Sequence, residues 1–225
     1  MVQLGIKKGR GRLLDWIKNL SGEKKRGWNF ELIKHNREMM ARIFLVAIEQ
    51  YNLKASQKEV VDKNGVHIAE QLISPGGFKL VTGYHVDQIS EDKNVIVDSE
   101  MYVQNLTTTI YSNLVIGYNW QTEVIVIIEV SADLNSYSDI YVFSKQNVFK
   151  TKYSWFSDTF QIYDRSESLI KNLLIFLSPN NRTTFMVDAE IDERLVDTEG
   201  KRVLIYMRQP EEREDFVRFF KKFAK

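Results

Sequence analysis

The chain has 225 residues, 44% apolar and 27% charged, enough to bury a sizeable core as one large domain or two small ones. The absence of Cys excludes disulfides, thiolate catalysis and cysteine-ligated metal centres. A formal net charge of +1 hides a segregation: residues 1–27 hold eight Lys/Arg against two acids, a net +6, whereas residues 84–139 hold nine acids and one Lys, a net −8.

The glycine-punctuated leader contains one short amphipathic stretch, Arg12–Leu20, with Leu13, Leu14, Trp16, Ile17 and Leu20 apolar. A helix this short is marginal in water and needs a surface to dock on. Residues 1–27 are therefore expected to form a basic arm in front of a single domain, 28–225. The polar stretch 144–152 is the alternative internal boundary.

A long helix is expected from Asn29 to Tyr51, capped by Asn29 and stopped at Asn52. Its apolar positions return at three- and four-residue spacing, and only Asn36 breaks the stripe. A weaker helix is expected over 57–71, broken at Asn64-Gly65. After Pro75-Gly76-Gly77 the period changes to two, which predicts strands over 78–87, 94–103, 107–118, 122–130 and 140–143. The segment Tyr153–Tyr163 reads as aromatic-rich and extended. A helix follows to Ser178, stopped by Pro179, then strands at 183–191 and 202–207 with a turn at Glu199-Gly200. Pro210 opens a last helix whose acids lead and whose lysines finish, the order that complements the helix dipole. Phe216, Phe219, Phe220 and Phe223 form its docking face. Strands in succession without intervening helices predict an α+β fold, mainly an antiparallel sheet flanked by helices.

No apolar run approaches the roughly 20 residues that cross hydrocarbon. No apolar block follows the basic leader, so an export signal is not expected and a cytoplasmic location is. The three histidines, His35, His67 and His85, show no metal-ligand spacing, and no phosphate-cradling glycine loop opens a helix. The sequence names no cofactor.

Carboxylates in strands are costly when buried without a cation or donors. Glu129 interrupts an apolar run, and Asp98 and Glu100 share a strand face. These three are the candidate ligands of a Mg²⁺-dependent phosphodiester hydrolase, although Ser131 stands where a partner lysine is expected. Asp188, Glu190 and Asp192 form a second same-face series. Solvated strand acids of this kind also serve to block edge pairing.

The basic arm is the stronger lead. Arg10, Arg12, Lys18, Lys24, Lys25 and Arg26 supply charge, and Trp16 anchors the apolar face. Such a segment can dock on a protein partner or a second copy, the favoured reading. It can instead neutralise nucleic-acid phosphates or hold an anionic membrane surface. The sequence therefore points to a binding or assembly protein that is not an enzyme. The hydrolase and a peripheral membrane role are the alternatives.

Overall fold

The computed structural model describes residues 27–57, 60–61, 67–68, 72–97, 100–165, 182–191 and 205–223, with the backbone alone for 57–68 and 87–110. By its contacts the chain divides into residues 1–31 and residues 32–225. The arm helix at 12–20, the turns at 64–65 and 199–200 and the helix expected before Pro179 lie outside the described residues.

The fold is α+β. Helix α1 (Phe30–Gln57) leads to a short ladder, β1 (Val60–Val61) with β2 (His67–Ile68). Seven antiparallel strands then form one sheet: β3 (Lys79–Val97), β4 (Glu100–Asn119), β5 (Val124–Val130), β6 (Tyr137–Ser144), β7 (Val148–Ser154), β8 (Thr159–Asp164) and β9 (Arg182–Val187). Their order across the sheet is β6-β5-β4-β3-β9-β8-β7. A small ladder of β10 (Glu190–Ile191) with β11 (Met207–Arg208) precedes helix α2 (Pro210–Lys222).

The strand order forces the sheet to curl. β6 and β7 are opposite edges, yet only Lys145–Asn147 separates them in sequence. In a flat sheet the two edges would stand about 29 Å apart, at 4.8 Å per neighbour. The connection from Ser144 to Val148 spans at most roughly 14 Å. The edges must therefore meet at this corner, and Asn147 fastens it. Its amide donates to the Val142 carbonyl and accepts from the Ser144 N–H, each at 2.7 Å, and its carbonyl accepts from the Arg165 N–H at 2.7 Å. Residues 144–152 thus run through this corner into β7, inside the seven-stranded sheet.

Each face of the sheet carries one helix. On the α1 face, a Cβ at Gly117 would stand 2.2 Å from the Phe44 ring, so only glycine admits the helix this closely. On the α2 face, Phe216, Phe219, Phe220 and Phe223 enter a cluster with Tyr118, Phe160, Phe185 and Val148. Strand β5 lies between the two, which explains why Val124–Ile128 is apolar at every position and wholly buried. The fourfold phenylalanine face of α2 was legible from spacing alone.

Four expectations need correction. Helix α1 continues past Tyr51 to Gln57, because Asn52 does not end it: its side chain donates to the Ile73 carbonyl and accepts from the Ile73 N–H, both at 2.8 Å. The weaker helix at 57–71 is replaced by the β1–β2 ladder, in which Val60 pairs with Ile68. The strand expected over 94–103 is divided between β3 and β4, which pair along their whole lengths from Val97–Glu100 to Lys79–Tyr118. Tyr153–Tyr163 is not one extended segment but a hairpin, with Trp155–Asp158 turning between β7 and β8.

Candidate functional site

Strand alternation decides what the α2 face presents beyond the phenylalanine cluster. Along β4, Tyr118, Ile116, Leu114 and Ser112 share that face, as do Ile125, Ile127 and Glu129 on β5. The register sets Glu129 beside Leu114, His85 beside Ser112 and Ile127 beside Tyr141. These residues, with Thr183 and Phe185 of β9, line a cavity of about 280 Å³.

The cavity has an apolar floor and polar walls. Leu114, Ile127 and Phe185 are buried, whereas His85, Ser112, Glu129 and Thr183 are half-buried and Tyr141 is exposed. His85 Nδ1 lies 2.5 Å from the Thr184 carbonyl. A carbonyl only accepts, so Nδ1 carries a proton in this contact. Gly83 keeps this wall tight, since a Cβ there would lie 2.1 Å from the Met186 carbonyl oxygen. Strand β9 consequently passes close to β3.

The proposed metal ligands are distributed differently. Glu129 faces the cavity, and Asp98 lies outside the described residues. Glu100 opens β4 opposite Val97, while Glu129 pairs with Leu114, well along the same 20-residue strand. That strand measures roughly 65 Å when extended, at 3.3 Å per residue. Glu129 therefore has His85, Ser112 and Tyr141 as its companions on the sheet rather than Glu100. Among the described residues, no three His, Asp or Glu side chains gather as a metal-binding group. In the second acidic series, Glu190 pairs with Arg208 at 3.1 Å and the Asp188 carbonyl accepts from Gln209. Asp192 is outside the described residues, as are Arg10, Arg12, Trp16, Lys18, Lys24, Lys25 and Arg26 of the arm.

Two further features were not apparent from the sequence. Asp215 of α2 gathers four donors: Lys79 at 2.8 Å, Tyr118 at 2.9 Å, Arg218 at 3.0 Å and the Trp120 indole at 3.2 Å. Burial pushes its carboxyl up, but these donors outweigh burial and hold it well below the usual carboxylate range. At the tip of the β7–β8 hairpin, Trp155 and Phe156 stack at 3.6 Å between ring centroids and are 71% and 83% exposed. Their neighbour Tyr153 packs on Phe160 instead.

No protein-family model, curated protein or solved structure matches the chain. Among the described residues, no helix is long and apolar enough to cross a membrane.

Proposed function

We propose that the protein is a cytoplasmic, non-enzymatic binding or assembly protein whose basic N-terminal arm engages an acidic partner, a second copy being the favoured one. The observation that carries this reading is the segregation of charge along the chain, with eight Lys/Arg against two acids in residues 1–27. Charge supplies the attraction: a net +6 leader can meet the net −8 stretch of residues 84–139. Long-range attraction between exposed charges is screened beyond about 8 Å at physiological salt, so the interaction is salt-sensitive.

The test compares the full chain with a variant carrying Lys24→Glu, Lys25→Glu and Arg26→Glu. Light scattering should give the unaltered chain a mass above its 26.4 kDa monomer at low salt. High salt, or the triple substitution, should return it to the monomer. A labelled oligonucleotide titrated under the same conditions distinguishes the nucleic-acid alternative, which predicts steep salt dependence and loss in the variant. A chain that stays monomeric and leaves the oligonucleotide unbound ends this reading.

A further inference from the structure

We infer that the cavity on the α2 face, beyond the phenylalanine cluster, binds a small organic amine through Glu129, with the apolar body of the ligand on Leu114, Ile127 and Phe185. Three observations converge on this class of ligand.

Glu129 is the acid of the cavity, on strand β5 and facing inward beside Leu114. Among the described residues its carboxylate has no ion-pair partner. Half-buried and flanked by apolar side chains, it is the place where a cationic nitrogen gains a charge-assisted hydrogen bond. The neighbouring groups favour a donor-bearing ligand as well. The Ser112 and Thr183 hydroxyls can accept, and the Tyr141 ring at the mouth gives a cation an aromatic face.

Arg182 is the opposing charge. It opens β9, and alternation sets its side chain on the face away from Thr183 and Phe185, so it meets the cavity from the rim. Glu129 is therefore the charged side chain on the cavity's own sheet face, with Arg182 at its rim. Size sets the last limit, because about 280 Å³ lies at the small end of ligand cavities. A single ring or short branched chain with one amine suits it.

The experiment uses the full chain and three probes of one shape: benzylammonium, benzyl alcohol and benzoate. Amide chemical shifts are followed by NMR as each is titrated. Benzylammonium should move the His85, Ser112 and Glu129 signals saturably, and bind at least tenfold more tightly than benzyl alcohol. Benzoate should bind least. Glu129→Gln, which keeps the shape and removes the charge, should weaken benzylammonium at least tenfold and leave benzyl alcohol unchanged. If that variant does not fold, the three-probe ranking on the unaltered chain decides. Benzoate binding as tightly as benzylammonium, or no saturable shift of those amides with any probe, overturns the inference. Charge reversal at Lys24, Lys25 and Arg26 should not alter benzylammonium binding, which separates this result from the fate of the arm.

Discussion

The Gln209 side chain pairs with the backbone of Thr82 as a neighbouring strand would. Its Oε1 accepts from the Thr82 N–H at 3.0 Å, and its Nε2 donates to the Thr82 carbonyl at 2.8 Å. Strand β9 pairs with β3 only at Gly83 and Tyr84, so Thr82 lies just past the end of that ladder. Nε2 also reaches the Asp188 carbonyl at 2.8 Å, and the Gln209 N–H donates to the Ala189 carbonyl at 2.7 Å. One buried amide thus ties β3, the end of β9 and the first turn of α2 together.

Gln209→Ala should accordingly cost more than an ordinary polar truncation. It would leave the buried Thr82 N–H and carbonyl without this partner in a site where Gln209 is only 1% exposed. Each unsatisfied buried group costs about 1–3 kcal/mol. A loss of about 3 kcal/mol is expected in urea unfolding. Gln209→Glu should not restore stability, because a carboxylate accepts from the Thr82 N–H but opposes its carbonyl. A loss below about 0.5 kcal/mol in the Ala variant would mean that water replaces the amide at no cost.

The two glycines predict opposite rescue behaviour. A Cβ at Gly117 meets the Phe44 ring, a side chain that can be shortened. A Cβ at Gly83 meets the backbone oxygen of Met186, which cannot. Both Ala variants should lose about 2–3 kcal/mol through overpacking. Adding Phe44→Leu should recover part of the Gly117→Ala loss in denaturant melts. No side-chain change at position 186 should help Gly83→Ala.

The phenylalanine cluster and the hairpin tip have similar chemistry and different weight. Phe220 is 1% exposed and meets Phe160, Phe185 and Phe216 at ring separations of 5.1, 6.1 and 5.7 Å. Phe220→Ala should cost about 3–5 kcal/mol. Phe156→Ser, at the solvent-facing tip, should stay within about 0.5 kcal/mol. Thermal melts of the two variants give the contrast directly. An equal loss would show that the tip is covered in the folded protein.

These contrasts show which parts of the fold the sequence carries locally. Helix α2 was readable because Pro210, the acid-to-lysine polarity and the Phe spacing agree within thirteen residues. Strand β5 was readable from its unbroken apolar run. Asn52 misled because its partner, the Ile73 backbone, is remote in sequence, as is the Tyr206 carbonyl that accepts from Asn36. A polar residue in an apolar helical stripe signals a distant hydrogen bond but does not name it. The cavity lies between these cases. Glu129 was marked by its place in an apolar run. Its neighbours His85, Ser112 and Tyr141 come from other strands, and only the register brings them beside it.

The Asp215 hub predicts how stability responds to pH at both ends. Its carboxyl is depressed in the folded chain, so its contribution is fully present above the unfolded carboxylate pKa, about 3.9, and is lost as pH falls below that. Tyr118 behaves in the opposite sense. Burial first, and then the hydrogen bond to Asp215, push its phenol well above the ordinary tyrosine value. A raised pKa gives stability that is complete below the unfolded value, about 10, and is lost as pH rises beyond it. Asp215→Asn removes the ion pairs to Lys79 and Arg218 while keeping an acceptor for Tyr118 and Trp120. Denaturation midpoints measured from pH 2 to 7 should therefore fall less steeply on the acid side in this variant than in the unaltered chain. On the alkaline side Tyr118 stays buried in both, so its ionisation, followed by ultraviolet absorbance, should remain tied to unfolding. Equal acid slopes would show that the four donors around Asp215 survive its protonation, and that other carboxylates set the acid limit.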